Sequence, residues 1–296
     1  MRVFERGWLS SNGVLFQGQH GTALVDTGYA SHSSQTVALV ETASRSGLDL
    51  ILNTHLHSDH CGGNAALQHA FPLVKTFIPL GLASFVRDWD PVALTYVPTG
   101  QQCPRFDFHG LLMPGQEIGL GNAYWQIHSA PGHDANSIIL FEPATGTLVS
   151  ADALWENGFG IVFEELEGIK AFDEVAATLD LIESLKPKLV IPGHGRVFTN
   201  VNSAIAAARS RLAGFVADPA RHARHAAKVL LKFKLLEVQQ LGERDFQQWA
   251  MDTHYFDLIH RRFPGPAGLR NWLDLLTSEL VRSGAARRSG QLILNA

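Results

Sequence analysis

The segment THLHSDHCGG, residues 54–63, places three histidines and one aspartate within six positions. It directly follows the apolar run LDLIL at residues 48–52, and short apolar runs of this kind are typical of buried strands. The pair Gly62-Gly63 indicates a tight turn before a helix. The histidines therefore lie in a loop at the carboxyl end of a strand, where open α/β sheets place their active sites. Imidazole and carboxylate groups bind zinc and similar divalent metals, so the segment predicts a metal site.

Three later turns carry the same kinds of side chain. PGHD at residues 131–134, SAD at 150–152 and PGHG at 192–195 each follow a short β-type run. Strand-end turns allow residues that are distant in sequence to converge at one edge of a fold. The simpler alternative is a polar loop that happens to be rich in histidine, and the recurrence of these turns argues against it.

The bulk composition is that of an ordinary globular protein. The chain has 296 residues, of which 46% are hydrophobic and 18% are charged. No uninterrupted apolar run is long enough to span a membrane, and residues 1–10 lack the apolar core of a signal peptide. Cys61 and Cys103 are the only cysteines, too few for a disulfide framework. These features predict a cytoplasmic protein with no membrane partner.

The two parts of the chain differ in charge. Residues 1–200 hold 10 Lys or Arg and 20 Asp or Glu, whereas residues 201–296 hold 14 and 8. We therefore predict a catalytic domain over 1–200 and a helical substrate or lid domain over 201–296. The basic second part would suit an anionic substrate or nucleic acid, although solvated helix faces are the simpler explanation of its charges.

Up to residue 200, the hydrophobic pattern predicts strands and helices in alternation, then strands again, then a helix and a strand. The expected strands cover 14–16, 22–25, 48–54, 73–78, 117–120, 124–128, 137–141, 147–150 and 188–191. Helical spacing is found at 33–46, 64–70 and 81–89, and residues 90–110 suit a long loop over the site. An apolar stripe predicts an amphipathic helix from Ile169 to Leu185. This order suits two packed sheets with helices outside.

After residue 200 the pattern is almost wholly helical. Helices are expected near 202–217, 221–241, 244–262 and 267–283, with a break at Pro264-Gly265-Pro266 and a short strand at 291–294. Three helices followed by a β-type segment suggest a winged-helix-like appendage. His222 and His225 have helical spacing and no nearby carboxylate in the sequence, so we expect them to be solvated.

The pattern His-x-His-x-Asp-His at residues 55–60, followed by one His, one Asp and one His in later turns, resembles the metallo-β-lactamase superfamily. The resemblance covers residues 14–200, including the turn Asp26-Thr27-Gly28. It implies an α/β (α+β) fold, a four-layer αββα sandwich with two metals at one edge of its sheets. Within that superfamily, the glyoxalase II and lactamase-β-like branch, whose members carry a helical extension, is the most similar.

The resemblance also implies roles for individual residues. The first metal would be held by His55, His57 and His133, the second by Asp59, His60 and His194, and Asp152 would bridge them. Asp26 would steady the histidine loop without binding metal. The implied cofactor is two divalent ions per chain, with Zn²⁺ expected and Fe or Mn as alternatives. Two metals that share a water lower its pKa toward neutrality, and Asp59 would orient the resulting bridging hydroxide.

The implied activity is hydrolysis of an ester, thioester or lactone bond in a small molecule. True metallo-β-lactamases either have cysteine at the position of Asp152 or lack a bridging carboxylate, so β-lactamase activity is disfavoured. A metal-dependent phosphodiesterase or ribonuclease on the same site stays open, although the acidity of the whole chain disfavours nucleic acid. A non-enzymatic metal sensor is disfavoured because the chain keeps all seven ligands. The sequence leaves open whether the chain forms a homodimer.

The segment WENGFG at residues 155–160 lies where glyoxalase II has its Gly/aromatic segment. Trp155 and Phe159 are candidates for the substrate pocket, with ordinary core packing as the alternative. The chain lacks an obvious Lys/Tyr pair for the glutathione carboxylates. Glutathione specificity is therefore doubtful.

Overall fold

The strands within residues 2–112 form a six-stranded sheet. The computed structural model describes residues 1–265 and 268–296. The strands follow one another in chain order across the sheet: β1 (Arg2–Phe4), β2 (Gly13–Gly18), β3 (Gly21–Val25), β4 (Leu50–Leu52), β5 (Lys75–Pro79) and β6 (Gly110–Leu112). The first three strands are antiparallel, and β3 to β6 are parallel. The carboxyl ends of β3 and β4 therefore lie side by side, each followed by one of the predicted site loops.

The strands within residues 117–192 form a second, five-stranded sheet. Its strands are β7 (Glu117–Leu120), β8 (Ala123–Ser129), β9 (Ile138–Glu142), β10 (Thr147–Ala151) and β11 (Leu189–Pro192), in the spatial order β11-β10-β9-β8-β7. Only β10 and β11 pair in parallel. The turns that carry Asp152 and His194 follow these two strands and emerge at the same edge.

The two sheets pack face to face because successive side chains of a strand point to opposite faces. On β2, Val14 and Phe16 point into the core between the sheets, whereas Leu15 points outward. From the other sheet, Trp125 and Ile127 enter the same inner core. This alternation buries both faces of each sheet and requires helices on the outside.

Helices cover both outer faces. The sandwich contains α1 (Ser33–Ala43), α2 (Ser58–Cys61), α3 (Asn64–Ala70), α4 (Ala83–Asp88), α5 (Phe163–Glu167), α6 (Phe172–Leu185) and α7 (Val201–Ala217). Side chains of α1 and α3 pack on the first sheet, and those of α6 and α7 pack on the second. The predicted αββα sandwich is therefore confirmed.

The remaining residues build a second apolar core, to which Ile161 and Leu166 of the preceding segment also contribute. The remaining residues form α8 (Pro219–Val238), β12 (Gln240–Gly242), α9 (Glu243–Asp252), α10 (His254–Arg262), α11 (Gly268–Arg282), β13 (Ala286–Ser289) and β14 (Leu292–Asn295). The strands make a small antiparallel sheet in the order β12-β14-β13. Helix, strand, helices and a final hairpin follow the order of a winged-helix module with one extra helix. Helix α7 shares its core with the sandwich, and the domain boundary at residue 200 stays a prediction.

Three predicted helices are wrong in part. The helix expected over 221–241 ends at Val238, and Gln240–Gly242 form β12 instead. The single helix expected over 244–262 breaks at Thr253, which is extended because the N–H of Tyr255 donates to the carbonyl of Pro98 instead of continuing the helix. The helix expected from Ile169 begins at Phe172, and Ile169 is exposed because Gly168 has already ended a separate short helix, α5. Pro266 and the first residue of the helix expected at 267 lie outside the described residues.

None of the helices within residues 1–265 and 268–296 combines the length and apolar character that crossing a membrane requires. Cys61 and Cys103 are both free thiols. The cytoplasmic location stays a prediction.

Candidate metal centre

Asp26 organises the histidine loop from the end of the neighbouring strand. Its carboxylate accepts hydrogen bonds from the backbone N–H of Thr54 at 2.9 Å and from the hydroxyl of Thr54 at 2.7 Å. Nδ1 of His60 lies 2.8 Å from the same carboxylate. Asp26 itself has a positive φ of 58°, a conformation that Asp and Asn tolerate better than most residues. The loop is therefore fixed at its first residue and again at His60.

All seven predicted ligands lie close together at the edge of the sheets that carries the histidine loop. The potential ligand atoms lie within 4.8 Å of one another in three overlapping groups: His55, His57 and His133; His55, His60 and Asp152; and Asp59, His60 and His194. Asp152 lies centrally, with its carboxylate oxygens 3.4 Å from Nε2 of His60 and of His133 and 3.7 Å from Nε2 of His194. The three groups share His55 and His60 and form one continuous cluster of candidate metal ligands.

Two glycines allow the strand-end turns to approach so closely. A Cβ atom at Gly193 would lie 2.1 Å from Oδ1 of Asp152, and one at Gly160 would lie 2.2 Å from Nδ1 of His133. Non-bonded atoms do not approach this closely, so any larger residue at either position would push the carboxylate or the imidazole aside. The turn PGHG thus requires its first glycine for a packing reason.

Hydrogen bonds outside the centre orient its imidazoles. Nδ1 of His60 faces Asp26, which leaves Nε2 directed at Asp152. Nδ1 of His133 donates to the carbonyl of Ile161 at 2.5 Å, which directs its Nε2 into the centre, 2.8 Å from Nδ1 of His57. A partner on one ring nitrogen fixes the tautomer and aims the other nitrogen at a metal.

Electrostatics divide four histidines of the centre, His55, His57, His60 and His133, into two classes. Burial lowers the pKa of His57 and of His133 to about 4, and burial together with neighbouring imidazoles holds the pKa of His55 well below its usual range. Burial also opposes protonation of His60, but the carboxylates of Asp152 and Asp26 outweigh it and raise its pKa. Neutral imidazoles are the form that binds metal.

The residues present fit divalent metal ions. Among the described residues, Nε2 of His55, Nε2 of His60 and Nδ1 of His194 are buried without a hydrogen-bond partner. Buried polar atoms are normally satisfied, so the orphaned Nε2 atoms of His55 and His60, which belong to one candidate ligand group, indicate an additional partner. The set of imidazole and carboxylate donors is the one that zinc, iron and manganese accept.

The cavity in front of the centre is small and largely apolar, with a volume of about 90 Å³. Trp8 stacks on the ring of His194, with centroids 5.4 Å apart, and meets Trp155 edge to face at 5.3 Å. Phe163 lies against His57 at 4.8 Å. Val229 and Phe233 of α8 complete the wall opposite. The C-terminal helices are thus a direct part of the cavity.

The two predicted pocket residues occupy different positions. Trp155 lines the cavity, and its indole N–H donates to Oδ1 of Asp152 at 3.2 Å. Phe159 is buried in the core of the second sheet, and its ring reaches only an adjoining cavity. No sequence signal pointed to Trp8, which lies in an irregular N-terminal segment. Val229 and Phe233 have i, i+4 spacing, but that spacing does not reveal which partner they face.

The expectation that His222 and His225 are solvated is wrong. His222 is buried, and its Nε2 accepts a hydrogen bond from the N–H of Val162 at 3.2 Å. Burial, followed by nearby imidazole and cationic groups, lowers its pKa to about 3. His225 is half-buried and accepts a hydrogen bond from Arg211. The partners of the two histidines are not carboxylates. The backbone N–H of Val162 is the partner of His222, and Arg211 is the partner of His225.

Comparison with known proteins places this geometry in a family. Residues 6–194 match the family model described as Metallo-beta-lactamase superfamily. The chain is 28% identical over 166 residues to a hydroxyacylglutathione hydrolase of Thermosynechococcus vestitus, which covers 55% of this chain and 57% of that protein. It is 28% identical over 183 residues to the beta-lactamase-like protein 2 homolog of Drosophila melanogaster, covering 59% and 54% respectively. The chain therefore spans a little over half the length of these curated relatives.

A solved structure agrees over nearly the whole chain. A metallo-beta-lactamase family protein of Thermus thermophilus superposes with a TM-score of 0.55 at 19% identity, covering 97% of this chain and 94% of that one. This likeness establishes the shared fold, including the C-terminal part. Because the family model matches more than half of the residues, the chain belongs to the metallo-beta-lactamase superfamily.

Proposed function

We propose that the protein is a metal-dependent hydrolase of ester, thioester or lactone bonds, with two divalent ions per chain. The observation that carries the proposal is the convergence of five imidazoles and two carboxylates at one edge of the sandwich, with buried ring nitrogens that lack a partner among the described residues. Zinc is the ion that we propose, with iron or manganese as alternatives. When bound, the ions supply Lewis-acid activation of water and of the scissile carbonyl group.

The protein's own residues then have separable tasks. His55, His57 and His133 would hold one ion, Asp59, His60 and His194 would hold the other, and Asp152 would be a ligand shared by both. Oδ2 of Asp59 lies 3.1 Å from Nε2 of His194 and next to the cavity, where it would orient the attacking water and accept its proton. Trp8, which lies beside His194, and Phe163, which lies beside His57, limit the access of bulk water to the cavity.

A thioester is the substrate class that we favour within this group. The name of the similar protein from Thermosynechococcus vestitus, hydroxyacylglutathione hydrolase, supports it. The apolar wall of Phe163, Val229 and Phe233 suits an acyl chain next to the reacting carbonyl group.

The first experiment is metal analysis by mass spectrometry coupled to a substrate panel. The panel contains S-lactoylglutathione, an acyl-homoserine lactone, nitrocefin, bis(p-nitrophenyl) phosphate and a short RNA. We expect about two metals per chain and turnover of the thioester or lactone. A protein purified without metal that also fails to take up added zinc, iron or manganese would overturn the proposal.

Asp152→Ala tests the bridging role. We expect metal content to fall and kcat/KM to drop by at least about a thousandfold, because removing a bridging ligand affects both ions. Asp107→Ala removes an exposed carboxylate from the loop over the site and is the matched control. An Asp152→Ala protein with full metal content and full activity would contradict the assignment.

Phosphodiester hydrolysis, including cleavage of RNA, is the second candidate for the same site. The observations in its favour are the winged-helix order of the C-terminal elements and the basic side chains on α8. Turnover of bis(p-nitrophenyl) phosphate and RNA without thioester turnover would replace the first proposal with this one.

A further inference from the structure

A cleft between α7 and α8 is lined by basic side chains, and we define this cationic cleft as Arg211, Arg221, Arg224, His225 and Lys228. It encloses a cavity of about 670 Å³. The sequence showed only that the C-terminal part is basic. The fold gathers these side chains, drawn from two successive helices, around a single opening.

The positive charge of the cationic cleft is only partly compensated. Glu279 of α11 pairs with Arg224 and, at 3.4 Å, with Lys228. Among the described residues, Arg211 and Arg221 form no ion pair. The cleft therefore holds four permanent cations facing one carboxylate.

Arg211 is the most constrained of these cations. Its guanidinium lies 5.3 Å from the ring centre of Phe215 and 5.8 Å from that of Phe159, and Nη2 donates to Nε2 of His225 at 2.6 Å. Nε of Arg211 is buried and has no hydrogen-bond partner among the described residues. His225 accepts from an arginine and is therefore neutral, which agrees with a pKa that burial and then Arg211 lower to about 4. A half-buried guanidinium without a carboxylate is a site prepared for an anion.

The cationic cleft is continuous with the candidate metal centre. A connecting cavity of about 370 Å³ is lined at one end by Trp8, Trp155 and His194 and at the other by Arg211 and His225. Arg211 also packs against the turn that carries Trp155, because a Cβ atom at Gly158 would lie 2.9 Å from Cδ of Arg211. A molecule whose carbonyl group reaches the metal centre can therefore extend its other end into the cleft.

Building on the proposed hydrolase, we propose that the cationic cleft binds the phosphate groups of the leaving thiol, so that the substrate is the acyl thioester of a phosphate-bearing thiol such as coenzyme A. A phosphate group carries about −1.5 to −2 charge, so it matches the excess of cations in the cleft. The single, separate carboxylates of a tripeptide such as glutathione match it less well. Planar guanidinium groups suit phosphate oxygens. In the reaction, the oxygen of water adds to the acyl carbon, the C–S bond breaks, and the sulfur leaves with a proton as the free thiol. The acyl group becomes a carboxylic acid.

The test compares the same acyl group on two thiols, using the metal-loaded full-length protein. Acetyl-coenzyme A carries phosphates, whereas S-acetyl-N-acetylcysteamine has the same thioester without them. We expect a much higher kcat/KM for acetyl-coenzyme A, and we expect Arg221→Gln to lower the ratio of the two values by about tenfold, as loss of a charge-assisted hydrogen bond predicts. Arg287→Gln removes an equal charge from the exposed strand β13 and should leave the ratio unchanged.

A binding measurement separates the cleft from the chemistry. S-methyl-coenzyme A has no thiolate to bind metal, and calorimetry should show that Arg221→Gln weakens its binding by about tenfold. Arg211→Lys keeps the charge but loses the guanidinium fork, and we expect it to weaken binding as well.

The outcomes distinguish the two proposals. Thioester turnover with no preference for the phosphate-bearing thiol would overturn the inference about the cleft and leave the hydrolase standing. Binding of S-methyl-coenzyme A that depends on Arg221, without turnover of any ester, thioester or lactone, would overturn the hydrolase and leave the phosphate site standing. If Arg221→Gln weakened RNA binding but not S-methyl-coenzyme A binding, the cleft would belong to a nucleic acid and the proposed substrate would be wrong.

Discussion

The candidate metal centre and the helical wall that faces it are built in different ways. The centre consists of short turns, each directly after a buried strand, and each side chain is fixed by neighbours such as Asp26. The wall consists of single faces of α7 and α8, whose residues meet the centre only because the C-terminal helices pack across it. The comparison suggests that the chemistry resides in the turns and that substrate choice resides in the helix faces. Four predictions test this division, from the largest expected effect to the smallest.

Asp26→Ala should have the largest effect, because it removes the acceptor of two hydrogen bonds from Thr54 and the partner of His60. We expect a loss of about 3–5 kcal/mol in the free energy of unfolding, as for breaking a buried charged network. Metal affinity should fall about 10- to 100-fold, as for other groups that orient ligands. Chemical denaturation and metal titration measure the two effects.

Asp26→Asn is the matched control because asparagine tolerates the same backbone conformation and keeps one acceptor oxygen. It should lose less stability than Asp26→Ala. If both variants bound metal like the unmodified protein, the histidine loop would not depend on Asp26.

The pH dependence of stability should report on His222, which lies under the wall. Its pKa is about 3 in the folded protein against an ordinary value of 6.5, so the unfolded chain binds the proton first as the pH falls. The stabilisation is therefore fully present above pH 6.5 and is lost between pH 6.5 and about 3. In His222→Gln the free energy of unfolding should fall less steeply over that range, by up to about 1.4 kcal/mol per pH unit.

Phe215→Leu serves as the control for this measurement. It removes a ring that packs on His222, with centroids 4.9 Å apart, but it removes no titrating group. Its stability should be lower at every pH, with the slope retained. A His222→Gln protein with an unchanged slope would show that His222 is not the group responsible.

Tyr29→Phe tests the connection between the two regions. The hydroxyl of Tyr29 donates to Glu237 of α8 at 3.1 Å and accepts from the N–H of Gln102 at 2.9 Å. Its loss removes the acceptor of the Gln102 N–H and one of the two partners of Glu237, which keeps its ion pair with Lys234, and we expect a decrease of about 1–2 kcal/mol in the free energy of unfolding. Hydrogen exchange should rise in residues 99–103 and near Glu237. Exchange that rises nowhere in α8 would indicate that the wall is held by apolar packing alone.

Trp8→Ala should have the smallest effect, confined to the substrate. Trp8 is more than half exposed and stacks on His194, so its removal should leave metal content unchanged. We expect kcat/KM to fall about three- to tenfold through a higher KM, since one aromatic contact is worth about 0.5–1.5 kcal/mol. Trp8→Phe should retain most of the activity. Loss of metal in Trp8→Ala would instead make Trp8 a support of the centre.

The strands and the turns that follow them could be predicted from the sequence because periodicity and turn residues are local features, whereas the αββα sandwich and the family were implied by the resemblance of the His-x-His-x-Asp-His pattern. The same resemblance implied the seven candidate ligands, and the fold clusters them because the strands before these turns direct their carboxyl ends to the same edge. The break at Thr253 could not be predicted, because it depends on a hydrogen bond between Tyr255 and Pro98, which lie more than 150 residues apart.

What faces the centre became known only from the folded chain. Trp8, Val229 and Phe233 belong to segments without a motif, and His222 was misjudged because a helical pattern does not reveal the partner of a buried face. The cationic cleft likewise follows from the packing of α7 against α8 and not from the number of arginines. Short turns encode chemistry locally, whereas the shape and charge of a binding surface depend on contacts between residues that are distant in the chain.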